Sequence, residues 1–176
     1  MLRIAIDMDE VIADTLAMHL SEYNRKFGAA LTRDDMLGTK LRWLRPEHAG
    51  EARAILDQPQ FFRKLEVMPG CQEVIAELNE RFEVFIATAA MEVPSSFHEK
   101  YEWLKEHFPF LDDMNFVFCG DKGIVHADYL IDDNPRHFER FRGTGLLFDA
   151  PHNAEETRYI RVKDWSEVKA YFSSMK

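Results

Sequence analysis

The sequence predicts an α/β fold: a parallel sheet covered on both faces, three layers deep, with a small helical cap inserted after the first strand. Three observations predict it. From residue 70 onward, short apolar runs with β-branched content alternate with amphipathic helical stretches, the pattern of a parallel sheet with helical crossovers. The segment between the first strand and residue 69 has helical periodicity but no clear strand, so it stands outside that alternation. Three strands end in residues capable of chemistry, at Asp7 and Asp9, at Thr88, and at Asp132 and Asp133.

Leu2 to Ile6 is a short apolar run that stops abruptly at acids, a buried strand with a loop at its carboxyl end. From Ile12 to Phe27 the apolar residues Ile12, Leu16, Leu20, Tyr23 and Phe27 recur at helical spacing, and Gly28 supplies a stop. Thr32-Arg33-Asp34-Asp35 reads as a helix start, and a further helix runs from near Pro46 to Leu56. After Pro69-Gly70, Val74, Ile75 and Leu78 mark a helix, Phe82 to Thr88 a strand, Phe97 to Phe108 a helix and Phe116 to Cys119 a short strand. Tyr129 to Ile131 is a strand leading into Asp132-Asp133; Pro135 to Phe141 is helical; Gly145 to Phe148 and Tyr159 to Val162 are strands. Asp164-Trp165-Ser166-Glu167 has capping-box spacing and opens the last helix. Residues 1–14 and 70–176 thus form the core and residues 15–69 the cap.

A chain of 176 residues suits one domain with a small insertion. Its net charge of −9 excludes a polynucleotide-binding surface, which needs clustered Lys and Arg. A small phosphorylated ligand needs only one or two local cations and a metal. Cys71 and Cys119 are too few for a disulfide framework and read as buried thiols in a reducing compartment. Acids interrupt the first apolar run before a signal-peptide core could form, and no stretch approaches the ~20 apolar residues of a membrane span. The expectation is a soluble, cytoplasmic protein with no membrane partner; a homodimer is left open.

Ligands of open parallel sheets bind beyond the carboxyl ends of the strands, so the fold itself gathers these distant polar residues. Asp7 and Asp9 have the period of a strand and can face one pocket. With Asp133 added, the like charges would resist joint ionisation unless a divalent cation lay among them. Oxygen ligands without His or Cys at ligand spacing point to Mg2+. Carboxylates, Mg2+ and phosphate form a recurrent arrangement. Lys122, after the Phe116–Cys119 strand, is the candidate cation, and Thr88 offers a hydroxyl to a phosphate oxygen. An Asp can take up phosphate as a nucleophile, and a second Asp two residues on can protonate a leaving alkoxide and then activate water.

Asp7-Met8-Asp9-Glu10-Val11, Thr88, Lys122 and Asp132-Asp133 resemble the four ordered motifs of the haloacid-dehalogenase-like (HAD-like) phosphatases, which have a Rossmann-like core. Within them the chain resembles the 5'(3')-deoxyribonucleotidases. That resemblance runs through Glu99-Lys100-Tyr101-Glu102-Trp103, Gly120-Asp121-Lys122, Ala127 to Pro135, Leu147 to Asn153 and Asp164-Trp165, and at the front through Val11-Ile12-Ala13-Asp14. It implies Asp7 as nucleophile and metal ligand, Asp9 as acid/base with its backbone carbonyl on the metal, and Asp133 as a direct ligand. Asp132 would stand behind Asp133 or bind more weakly, and Thr88 and Lys122 would hold the phosphate. The implied substrate is a deoxynucleoside monophosphate, the alternative another small phosphomonoester such as a sugar phosphate.

Three positions depart from the family pattern. Glu10 stands where Gly is usual, Thr15 where an aromatic stacks on the base, and Ala89-Ala90 where Ser-Pro follows the second motif. Thr15 and Trp43 are the candidate nucleoside contacts, Trp43 either supplying the stacking that Thr15 cannot or packing within the cap. Phe61 and Phe62 are expected at the seam between cap and core. Phe97, Tyr101, Trp103 and His152 are expected to be structural.

Overall fold

The computed structural model describes residues 1–175. Six strands, β1 (Arg3–Ile6), β2 (Glu83–Thr88), β3 (Phe116–Phe118), β4 (Tyr129–Asp132), β5 (Thr144–Phe148) and β6 (Ile160–Val162), form one sheet in the order β3-β2-β1-β4-β5-β6, all parallel. The chain winds outward from β1 to β3, then crosses back to β4 on the other side of β1. The direction of winding reverses between β1 and β4, whose carboxyl ends carry Asp7 and Asp132-Asp133.

Strand residues alternate between two cores. Ile4, Ile6, Val84, Ile86, Ile131, Leu146 and Phe148 pack into a large cluster with α4 (Cys71–Asn79), α5 (Phe97–His107) and α6 (Trp165–Ser173). Ala5, Ala87, Leu130 and Leu147 face the opposite way, onto Phe138 and Phe141. That layer is thin. The segment expected to be helical from Pro135 to Phe141 makes only a 3-10 turn, Pro135–Phe138, whose ring at Phe138 presses so close to β5 that a Cβ on Gly145 would lie 2.6 Å from it.

Between β1 and α4 lie α1 (Thr15–Phe27), α2 (Leu41–Leu44) and α3 (Ala49–Leu56), with short 3-10 turns. The first helix begins at Thr15, not at Ile12, because the Asp14 side chain accepts the Ala17 N–H at 3.0 Å and caps it there. Gly28, at φ +61°, ends it in the left-handed conformation that favours glycine. Thr32 starts no long helix; its N–H and hydroxyl close on Asp35, and one 3-10 turn, Asp34–Met36, follows. α2 has too few residues to show a period and is absent from the sequence reading.

The two connections between the helical segment and the sheet are paired. The Asp14 N–H donates to the Glu66 carbonyl and the Met68 N–H to the Ile12 carbonyl, both at 2.9 Å, around an antiparallel bridge between Ala13 and Val67. Phe61 and Phe62 are buried at the junction, as expected, and the Trp103 indole donates to the Leu65 carbonyl at 2.9 Å. Among the described residues no helix is long and apolar enough to cross a membrane.

Trp165 opens α6 behind the loop that follows β1. Its indole donates to the Val11 carbonyl at 2.8 Å, its ring packs near Phe148, and it is almost wholly buried. Trp165→Ala is expected to cost about 3–5 kcal/mol of folding free energy, the usual range for deleting a buried indole, read as a lower denaturant midpoint at unchanged slope. The expected capping box is half made: Asp164 accepts the Glu167 N–H at 3.0 Å, while Glu167 reaches back to the Lys163 N–H.

Candidate active site

β1 delivers Asp7 to the sheet's carboxyl edge, where its N–H donates to the Ile131 carbonyl of β4 at 2.9 Å. The chain then folds tightly on itself, with the Ile12 and Ala13 N–H groups both on the Met8 carbonyl at 3.0 Å. Glu10, within this turn, has φ +61°. A side chain there costs roughly 1–2 kcal/mol, which is why glycine is usual. The Glu10 carboxylate offsets that cost by accepting the Leu16 N–H at 2.6 Å and pairing with Arg33 at 2.9 Å; Arg33 also holds Asp14 at 2.7 Å. Burial nonetheless raises Glu10 to about 7, with Arg33 acting against the rise.

The expected residues converge. Asp7, Thr88, Lys122, Asp132 and Asp133 are all buried at the strand ends. Lys122, fully buried, has its ammonium 2.7 Å from Asp7 Oδ1 and 2.5 Å from Asp132 Oδ2. Burial alone would lower its pKa, but Asp132 and Asp7 raise it, so it stays charged. Asp132 is used up: Oδ2 also receives His137 Nδ1 at 2.8 Å, and Oδ1 accepts the Asn134 N–H at 2.9 Å. Burial pushes Asp132 up, yet Lys122 and His137 hold it below the usual range.

Asp7 and Asp133 are different. Asp7 Oδ1 has the Lys122 ammonium at 2.7 Å, but shares it with Asp132 at 2.5 Å. Burial raises Asp7 to about 6, with Asp132 and Asp9 adding to the rise and Lys122 opposing it. Asp133 has no Lys or Arg in ion-pair contact among the described residues; its nearest partner is His152, at 3.3 Å. Burial, then Asp132, Asp7 and Glu10, push it well above the usual carboxylate range. The Asn153 amide fixes its loop by donating to the Asp133 carbonyl at 2.7 Å. Two buried carboxylates short of positive charge are what a divalent cation would satisfy. Asp7, Asp132 and His137 also place donor atoms within 4.8 Å of one another, but Asp132 is already engaged by Lys122 and His137, and His137 Nδ1 by Asp132.

Lys100 stands in the Glu99–Trp103 segment that carries the family resemblance, with no role expected of it from the sequence. Its ammonium, nearly fully buried, reaches 91 residues back to Asp9 Oδ2 at 2.5 Å and donates to Thr88 Oγ1 at 2.9 Å, under the Phe62 ring at 4.7 Å. A lysine three residues before Trp103, on the face that α5 buries, was the available signal. His137 and Lys40 were missed as well, for neither stands in a motif.

Two adjoining hollows lie between the sheet's carboxyl edge and the helical segment that follows β1. A cleft of about 190 Å³ holds Asp7, Asp9, Lys100 and Asp133. Beside it a cavity of about 240 Å³ is walled mainly by Leu16, Met36, Leu41 and Leu56, with His19 and His152. Thr15 lines both, its hydroxyl donating to Asp9 Oδ1 at 2.9 Å, so it orients the acid as well as facing the cavity. Trp43 faces solvent. It lines neither hollow and is 60% exposed, under the Arg42 guanidinium. α2 has room for one inward face, and Leu41 occupies it. His152, neutral because burial and Lys40 lower it to about 4, stands in the cavity wall with Nε2 3.3 Å from Asp133 Oδ2.

The family model described as "5' nucleotidase, deoxy (Pyrimidine), cytosolic type C protein" matches residues 1–175. A Staphylococcus epidermidis protein is 53% identical over 173 residues, covering 98% of this chain and 97% of its own. The 5'(3')-deoxyribonucleotidase of Bacillus subtilis is 40% identical over 166 residues, 94% and 95% of the two chains. Among solved structures, a haloacid-dehalogenase-like hydrolase from Streptococcus pneumoniae, SP0104, superposes with a TM-score of 0.66 over 98% of both chains at 15% identity.

Proposed function

The chain belongs to the 5'(3')-deoxyribonucleotidase family of HAD-like hydrolases and is a phosphoric monoester hydrolase, and from that premise we propose that it hydrolyses deoxynucleoside monophosphates through an aspartyl-phosphate on Asp7, with Mg2+ as cofactor. One observation carries the reading: buried Asp7, Asp132 and Asp133 have one lysine in contact, Lys122, shared by the first two, while Asp133 has no Lys or Arg in contact among the described residues and Thr88 and Lys100 stand beside them. Residues 15–69 act in it as a cap over this cleft.

Asp7, Asp133 and the Asp9 backbone carbonyl would hold the metal. When bound, Mg2+ neutralises the carboxylates and a phosphate oxygen, allowing two anions to approach. The remaining work falls to the chain. Thr88, Lys100 and Lys122 orient the phosphate by hydrogen bonds and charge. A carboxylate oxygen of Asp7 attacks phosphorus in line, the bond from phosphorus to the nucleoside oxygen breaks, and Asp9 gives that oxygen a proton. Asp9 then takes a proton from water as the water oxygen attacks phosphorus, releasing inorganic phosphate and restoring the Asp7 carboxylate. Thr15 and Lys100, on the two Asp9 oxygens, keep that carboxyl aimed at the cleft.

Leu16, Met36, Leu41 and Leu56 offer the cavity an apolar surface for the face of a base, and Thr39, Arg42 and Arg53 in its lining offer partners to polar groups. With Thr15 in place of an aromatic and Trp43 outside, the base would lie between aliphatic side chains and the imidazoles of His19 and His152. Phosphate release with Mg2+ across deoxynucleoside, ribonucleoside and sugar monophosphates tests this. Preference for deoxynucleotides is expected; turnover of sugar phosphates alone would keep the chemistry and overturn the substrate.

A further inference from the structure

The cap contributes a cation that nothing above employs. Lys40 precedes α2 in a segment held from both sides. The Gly38 N–H donates to the Pro151 carbonyl at 2.9 Å, with Gly38 at φ +67°, and the Lys40 carbonyl accepts the Trp43 and Leu44 N–H groups at 2.8 and 3.0 Å. Lys40 lines both hollows, the cleft holding Asp7, Lys100 and Asp133 and the aliphatic cavity beside it, so it stands at their junction.

The other cations of the cleft wall have partners. Lys100 is engaged by Asp9 and Thr88, and Arg136 pairs with Glu92 across the rim. Lys40 has neither a hydrogen bond nor an ion pair among the described residues. Asp133 and Asp132 attract it and Arg42 and Arg136 repel it, but none touches it. Holding a half-buried lysine in one place loses side-chain entropy and hydration, and an anion in contact is what would offset both. The anion that belongs at the junction of a phosphate cleft and a nucleoside cavity is the phosphoryl group.

We infer that Lys40 is a substrate-binding residue for the phosphate, donated by the cap: its ammonium bonds a phosphoryl oxygen of the substrate held by Thr88 and Lys100. The inference rests on the phosphomonoesterase reading of the cleft. Its consequence is that the segment from Gly38 to Leu44 reads the phosphate as well as the nucleoside, so that cap and core grip the same group from opposite sides.

The test compares wild type, Lys40→Met and Lys40→Arg in the presence of Mg2+, using inorganic phosphate and a deoxynucleoside as separate competitive inhibitors. Losing one charge-assisted hydrogen bond should raise the inhibition constant for phosphate roughly 10- to 100-fold in Lys40→Met. The constant for the nucleoside should stay within about twofold, and Lys40→Arg should recover most of the phosphate binding. Should the methionine variant lose its fold, Lys40→Gln carries the same comparison. An unchanged phosphate constant overturns the assignment, whether nucleoside binding weakens, which would put Lys40 in the nucleoside cavity, or neither constant moves, which would make it structural. A wild type that neither binds phosphate nor hydrolyses any phosphomonoester overturns the reading of the cleft itself, and this assignment with it.

Discussion

Asp7→Asn is expected to lower turnover by about ten-thousand-fold or more while leaving the protein folded. An amide lacks the nucleophilic carboxylate oxygen, so the first bond to phosphorus does not form. The fold should survive because Lys122 keeps Asp132 at 2.5 Å and an Asn oxygen can still accept its proton. In metal-free protein the variant should even be at least as stable, since burial already disfavours a charged Asp7. Single-turnover measurement of phosphate release, beside thermal unfolding of both proteins, checks the two halves together. Substantial residual turnover would sink the nucleophile assignment; loss of the fold would show that Asp7 is needed for structure.

Removing the metal should stop turnover, and it should also make stability fall as pH rises above about 6.5. Asp7 is raised to about 6 and Glu10 to about 7, both chiefly by burial, and Asp133 lies well above the usual range. A carboxyl whose folded pKa exceeds its unfolded value takes up a proton on folding between the two. Its contribution is therefore present at low pH and lost as pH climbs through that window. The window here runs from about pH 4 to 7, and a shift of roughly two units makes the loss on the order of 3 kcal/mol for Asp7 alone. Asp132, held below its usual value, acts in the opposite sense only below the ordinary carboxylate pKa of 3.8, but His152, lowered to about 4, and His19, also lowered, oppose the carboxyls up to about pH 6.5. Thermal unfolding of chelated protein should thus show a falling Tm above about pH 6.5, where the histidines no longer contribute, and Mg2+ at about a hundred times its Kd should restore roughly 2.7 kcal/mol there. A Tm that rises with pH in chelator over that range, or ignores Mg2+, would contradict the picture of carboxylates waiting for a cation.

Some of this was legible from residues alone, and the physical reason is locality. A short apolar run ending in acids declares both a strand and the chemistry at its end, and parallel topology brings such ends to one edge whatever the details of packing. Asp7, Asp9, Thr88, Asp132 and Asp133 are expected together on that ground, and Lys122 from its place in the order of the motifs. The strand positions followed from the same runs, apart from one or two residues at their ends. The helix expected from Ile12 starts at Thr15, because periodicity does not say which polar side chain will cap it.

Tertiary structure alone decided the rest. Lys100 meets Asp9 across 91 residues, and no spacing within α5 could announce that contact. Lys40, His137 and the pairing of Glu10 with Arg33 likewise depend on how the helical segment settles against the sheet. Trp43 shows the same limit from the other side. An aromatic in the cap is a reasonable candidate for stacking, but α2 turns Leu41 inward and leaves Trp43 60% exposed. The sequence by itself determined which groups could do the chemistry and at which strand ends they stand. Only the packing of the helical segment on the sheet decided which cations and which walls surround them, because those contacts are long-range and leave no local pattern in the chain.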